Sequence, residues 1–322
     1  MRFVIYLPGE FYSGVASSLF EIIQVINQVN NHEVISVEFV AHGKTARSRS
    51  GIDFPARRLS NKKMDVLFLL AGLGAELLPN EDFLKKEALK ALPVIKKALK
   101  DKAIIGATCG AAYFLAQAGI LNGKRATISW WLKRLALARF PEVRWEPSRM
   151  VVRSGRVYTS GGGFSGFELL SAILIDTGFS KEERLVRKLM VLPPARTSQA
   201  PYEVEEVLQT KDSDFIEKSE RVAKKYLPEL NVGLLARELN VSERTLARKF
   251  RDELSVSPGK WIQEKRLVKA KMLLESGSLS IDQVCMDTGY EDLSSFSRLF
   301  KKTTGMSPSE YKKHFTRVKT SR

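Results

Sequence analysis

The sequence predicts an α/β sandwich with a mostly parallel sheet over residues 1–191, then an all-α domain with two helix-turn-helix units over 213–322. Three observations predict it. Short apolar runs alternate with helical patterns through the first half, as strands and covering helices do in parallel sheets. Beyond residue 213 the alternation stops and helical spacing takes over. Within that helical region a single motif occurs twice, at an offset of 50 residues.

In chain order, RFVIYL (2–7) reads as a first strand and SSLFEIIQVINQV (17–29) as an amphipathic helix. VISVEFVAHG (34–43) and MDVLFLLAG (64–72) follow as strands, then a long helical segment over 81–100 in which Pro93 marks a bend or a new turn. AIIGA (103–107) is a buried strand leading through Cys109 into the helical AAYFLAQAG. MVVRSGRVYTSGG (150–162) reads as a hairpin turning at Ser154-Gly155, and FELLSAILIDTG (167–178) as an apolar helix. LPPARTSQAPY (192–202), without apolar periodicity, is a linker or a strap over the first domain; the linker is taken as 192–212.

A length of 322 residues suits two domains, and an apolar fraction of 44% supports real cores. No apolar run approaches the roughly 18–20 residues of a membrane span, and no secretory leader is evident, so a cytoplasmic location is expected. Cys109 and Cys285 imply neither a disulfide framework nor a metal cluster. The net charge of +16 points to a polyanionic partner. Residues 221–322 alone carry 21 Lys/Arg against 12 Asp/Glu.

The repeat pairs LLARELNVSERTLARKFRDELSVSPGKW (234–261) with VCMDTGYEDLSSFSRLFKKTTGMSPSEY (284–311). A small residue (Ala236, Cys285) lets two helices approach, and a residue tolerant of left-handed φ (Asn240, Gly289) makes the turn. Leu246 and Phe250, like Phe296 and Phe300, lie four apart and pack the second helix inward. Ser242 is a good N-cap for the first of these helices. The second copy has one extra residue in its turn.

Residues 215–315 resemble the AraC-type DNA-binding domain, in which a long helix, here 259–277, joins two helix-turn-helix units. The resemblance implies base-reading positions at Arg244, Ala247 and Arg248, and at Leu293, Ser294, Ser295 and Arg298. Arginine can grip guanine bidentately, serine can bond several base edges, and leucine or alanine can meet a thymine methyl. Lys249, Arg251, Lys301 and Lys302 are candidates for phosphate contacts.

The first 190 residues resemble the PfpI-type branch of the class I glutamine amidotransferase-like fold, through FVIYLPG (3–9), DVLFLLAGLG (65–74), GATCGAAYFLAQAGILNGKRATISWW (106–131) and VYTSGGGFSGFELL (157–170). The domain order is similar to that of GlxA-type transcription regulators. In PfpI-type enzymes the elbow cysteine is a nucleophile, assisted by a histidine and a nearby glutamate. Here the regulator pattern Thr-His-Trp reads Ile128-Ser129-Trp130, and the relatives' glutamate falls on Gly14. His32, His42 and His314 have no motif linking them to the elbow. Cys109 is left as an acyl-transfer nucleophile, a pocket or redox-sensitive thiol, or a small residue kept for packing.

Gly14, Gly72, Cys109, Gly110 and Ser129 are the candidate ligand pocket, and Gly161–Gly163 and Ala71–Gly74 could offer N–H groups to an anion. The expected protein is a non-enzymatic, sequence-specific transcription regulator needing no cofactor or metal. Its expected partners are a double-stranded DNA operator, a second copy of itself, a small-molecule effector and RNA polymerase, and no membrane. The competing expectation is a cysteine-dependent hydrolase or deglycase-like enzyme with a DNA-binding appendage.

Overall fold

The computed structural model describes residues 1–72, 81–204, 213–254 and 256–316. The chain divides into two compact units, Met1–Ala200 and Pro201–Arg322. Leu73 and Gly74 of the second glycine-bearing stretch, residues 205–212 of the expected linker, and 317–322 lie outside the described residues.

The first unit runs β1 (Arg2–Tyr6), α1 (Ser13–Val29), β2 (Ser36–Val40), β3 (Thr45–Arg47), β4 (Asp53–Pro55), β5 (Val66–Leu69), α2 (Glu81–Lys100), β6 (Ile104–Ala107) and α3 (Ala111–Gln117). It continues with β7 (Arg125–Ala126), α4 (Lys133–Arg139), β8 (Arg144–Trp145), β9 (Val151–Ser154), β10 (Val157–Ser160), α5 (Gly166–Asp176) and α6 (Ser180–Leu189). Six strands form one sheet in the order β2-β1-β5-β6-β10-β9. All neighbours are parallel except β9–β10, the expected hairpin.

Strand periodicity splits the core in two. Val4, Tyr6, Leu67 and Leu69 point to the layer of α2 and α3, whereas Phe3, Ile5, Val66 and Phe68 point to that of α1, α5 and α6. The helix over 81–100 runs through Pro93 as one element, with Ala91, Val94 and Ile95 buried around it.

The second unit comprises α7 (Asp214–Tyr226), α8 (Val232–Glu238), α9 (Glu243–Leu254), α10 (Pro258–Ser276), α11 (Ile281–Asp287), α12 (Leu293–Thr304) and α13 (Pro308–Phe315). Two apolar clusters fill it, one per repeat. Helix α10 serves both: Trp261 and Ile262 belong to the first cluster, and Leu267, Ala270 and Leu274 to the second. An isolated short helix is marginal in water, so α8, α9, α11 and α12 owe their persistence to this shared spine.

The two copies share their turn bonds and their aromatic anchors. Val241 N–H donates to Ala236 O and Tyr290 N–H to Cys285 O, both at 3.0 Å. Asn240 (φ 53°) and Gly289 (φ 78°) take the left-handed turn position. Phe250 meets Trp261 with ring centroids 5.2 Å apart, and Phe300 meets Tyr311 at 5.3 Å. Ser257 and Ser307 cap α10 and α13, each with proline following at the helix start. The extra residue of the second copy is Glu291, which sits between the turn and the cap Asp292; in the first copy Val241 alone separates Asn240 from Ser242.

Gly289 is required twice, by its φ and because a Cβ there would lie 2.1 Å from Pro228 O. We expect Gly289→Ala to cost about 3 kcal/mol from left-handed strain and overpacking. Asn240→Gly should stay within about 1 kcal/mol of the parent chain. Urea unfolding of the full chain followed by helical circular dichroism measures both.

Candidate functional site

The elbow stands where β6 passes into α3. Cys109 adopts φ 55°, a left-handed conformation that costs a residue with a Cβ about 1–2 kcal/mol. Hydrogen bonds over-determine it: Thr108 N–H donates to Leu69 O at 3.0 Å, Cys109 N–H to Ser160 O at 3.1 Å, and Ala111 N–H to Thr108 O at 2.8 Å. The side chain is buried, and the hydroxyl of Ser129, itself wholly buried, donates to Sγ at 2.9 Å.

Burial pushes the Cys109 thiol above its ordinary pKa, outweighing the opposite pull of the Ser129 hydroxyl and the Gly110 backbone N–H. Activation of a nucleophile requires the reverse, a thiolate favoured by a base or a cation. His32 and His42 are exposed, on the segments flanking β2.

The cavity beside Cys109 is small. Its volume is about 10 Å³, with Tyr12, Thr108, Cys109 and Gly163 among its walls. That is the size of the single water such a void needs about 10–15 Å³ to hold, so an organic molecule enters only if the walls part. Of the five residues expected there, Cys109 and Ser129 touch. A Cβ on Gly110 would meet Leu132, Leu84 and Ala71, in the core beneath the elbow. Gly72 is pressed on Gly9, where a Cβ would lie 2.1 Å from the carbonyl oxygen. Gly14 is exposed at the start of α1, and a Cβ there would approach Phe164 at 3.7 Å. A larger cleft of about 490 Å³ runs along β2 past Arg2, Glu38, Phe39, Arg57 and Lys62. Arg2 is already committed to Glu38 and to the carbonyls of Lys62 and Lys63.

Sequence reasoning missed the residues that fasten the elbow, which lie in the Pro-rich stretch after α6. Gln199 is 2% exposed, and its amide N–H groups reach Pro147 O at 2.5 Å and Ile128 O at 2.8 Å. Its Oε1 accepts Trp130 N–H at 3.2 Å, one residue beyond Ser129. Gly161 has no room for a side chain because this amide occupies the space: a Cβ would fall 2.4 Å from Oε1. Each of these partners left unmatched would cost about 1–3 kcal/mol. Arg196 pairs bidentately with buried Glu168 of α5, at 2.7 and 2.9 Å, and donates to Phe164 O at 3.1 Å. Apart from polar residues in a stretch without periodicity, no sequence signal marked these positions.

In the second unit α9 and α12 are the outward helices of the repeats. Arg244, Arg248 and Arg251 are exposed on α9, with Ala247 half-buried. On α12, Leu293, Ser294, Ser295, Arg298, Lys301 and Lys302 are exposed, and the helix carries no acidic residue. Ser242 accepts Thr245 N–H at 3.2 Å, and Asp292 accepts Ser295 N–H at 2.7 Å, so side-chain caps begin both helices. Bonds from Ser295 and Ser294 hold the Asp292 carboxyl below the usual range. Arg298 donates to Ser295 Oγ at 3.1 Å, folded along its own helix. Lys249 differs from the other phosphate candidates: its ammonium lies 4.4 Å from the centre of the Phe215 ring.

Burial of the neutral thiol makes stability pH-dependent. The native pKa of Cys109 lies above the unfolded value of about 8.5, so its contribution is complete below that pH and is lost as pH rises towards the native value. We expect the melting temperature of the full chain to fall as pH rises above about 8.5, and Cys109→Ala to flatten the fall. Equal slopes in both proteins would contradict the burial argument.

Residues 16–175 match the DJ-1/PfpI family, and residues 235–314 match a helix-turn-helix domain. The chain is 27% identical over 256 residues to the HTH-type transcriptional regulator CdhR of Pseudomonas aeruginosa, covering 77% of this chain and 72% of that protein. It is 24% identical over 206 residues to GbdR of the same species, covering 63% of this chain and 56% of GbdR. The Escherichia coli arabinose operon regulatory protein shares 35% identity over 82 residues, 26% of this chain and 28% of that one. A solved structure from Vibrio parahaemolyticus superposes with a TM-score of 0.52 at 18% identity, over 59% of this chain and 98% of that one, and shows the same fold. The chain thus carries an N-terminal DJ-1/PfpI domain followed by an AraC-type helix-turn-helix domain.

Proposed function

We propose that the protein is a sequence-specific DNA-binding transcription regulator whose first domain, over about residues 1–191, senses a small molecule or mediates dimerisation without catalysis. The observation that carries the reading is the duplicated unit with an exposed, capped helix in each copy, one of them free of acidic residues. Two such helices on one spine suit successive major-groove segments on one face of a duplex. Relatives named as transcriptional regulators support it.

Arg244, Ala247, Arg248, Leu293, Ser294, Ser295 and Arg298 read base edges in this reading. Arg251, Lys301 and Lys302 position the duplex through phosphates, and Lys249 joins them after leaving the Phe215 ring. Arg298 must likewise leave Ser295 to reach a base. A second copy, RNA polymerase and an effector are the further partners, and the regulator works in the cytoplasm. No helix among the described residues is long and apolar enough to cross a membrane. The buried, protonated thiol facing a hydroxyl donor supports a non-enzymatic role for Cys109.

Selection of duplexes from a random pool by the full chain, followed by affinities on a mutated operator set, tests the reading. Arg248→Ala should erase preference at one base pair, about 1–3 kcal/mol of discrimination. Lys301→Ala should weaken all sequences alike and lower the salt slope by about 1. Failure to enrich any sequence, or identical losses for the two variants, would overturn it.

A further inference from the structure

We propose that Arg196 and Gln199 form a latch joining the elbow cavity to the segment that enters the second unit, so that anything occupying the cavity must release that segment. The inference rests on the sensor reading of the first domain and names how its site would be regulated.

The cavity holds at most one water, and the strap fastens two loops beside it, one that supplies a wall through Gly163 and one that bonds Cys109 through Ser129. Gly163, on one wall, begins a short 3-10 turn through Ser165; Arg196 grips that turn at Phe164 O and the following helix at Glu168. In the second loop Ser129 donates to Sγ, and Gln199 holds the next residue by Trp130 N–H and the preceding one by Ile128 O. Backbone pairing completes the attachment: Met150 N–H donates to Thr197 O at 3.0 Å and Gln199 N–H to Ser148 O at 2.9 Å.

Neither loop can retreat from Cys109 without breaking bonds to the strap. The converse follows by linkage: a strap pulled away loosens both loops around Cys109. The strap is also short of slack. Gln199 is the last of these first-unit anchors, while Pro201 O accepts the Tyr311 hydroxyl at 3.0 Å and Glu203 O accepts Lys271 Nζ at 3.3 Å, both within the second unit. One residue, Ala200, separates the two sets in sequence.

The test uses the full chain with Cys285→Ala, leaving Cys109 as its one thiol, and N-ethylmaleimide as the probe. Sulfur adds to the maleimide double bond and the thiol proton ends on the adjacent ring carbon, so reaction places a bulky group in the cavity. With the latch intact, addition should be slow, and Gln199→Ala should accelerate it about ten-fold or more. Arg196→Met, which spares the buried amide, should accelerate it in the same direction and guards against a Gln199 variant that does not fold. In the other direction, the adduct should increase trypsin cleavage after Arg196 and amide exchange over 197–200.

Alkylation rates in both variants within about two-fold of the parent, or a strap equally protected with and without the adduct, would overturn the latch. The readouts do not involve DNA. A strap that opens while DNA affinity stays unchanged would count against the sensor reading and leave the latch standing.

Discussion

A parallel sheet has to be covered on both faces, and the first unit is organised around that constraint. Its strands are too apolar to meet water on either side, so α2 and α3 pack on one face and α1, α5 and α6 on the other. Parallel connections then bring β1, β2, β5, β6 and β10 out at the same edge of the sheet, with only β9 running the other way. Cys109 stands there because of the topology, and its left-handed backbone persists because neighbouring carbonyls bind its flanks. The chemistry at this edge is quiet: a serine hydroxyl faces a buried thiol, and the void beside it is water-sized.

The second unit solves a different problem. Four of its helices span 7 or 12 residues, lengths at which helix formation in water is marginal. α8, α9 and α11 pack against α10, and α12 packs against α11 and α13; duplication reuses the aromatic anchor, with Trp261 of α10 and Tyr311 of α13 in equivalent places. Polar caps then fix where the outward helices start, so the exposed arginines and serines occupy defined positions on them.

Much of this was legible in the sequence because the signals are local. Alternation in FVIYL and VLFLL, Gly155 in the hairpin turn, the Ser242 cap and the Asn240/Gly289 turns each act within a few residues. Cys285 behaves as expected, a packed thiol whose Sγ reaches Tyr290 O. The elbow's surroundings were less legible. Gly72 and Gly110 looked like pocket backbone, yet their neighbours, Gly9 in one case and Leu84 and Leu132 in the other, come from distant segments. Gln199 was unreadable for the same reason, since its partners are main-chain groups 50–71 residues away. Hydrogen bonds to backbone carry no residue-type signature at the partner position, so a single sequence gives no handle on them.

Helix α10 also behaves as a gauge. Its 19 residues, at about 1.5 Å each, separate the two apolar clusters by a fixed axial distance. One residue more or fewer would alter that length slightly, but it would turn everything beyond the change by about 100° around the axis. α11 and α12, packed on the far half, would swing with it and face another direction. Angular phase, rather than distance, is what the unbroken run from Pro258 to Ser276 protects.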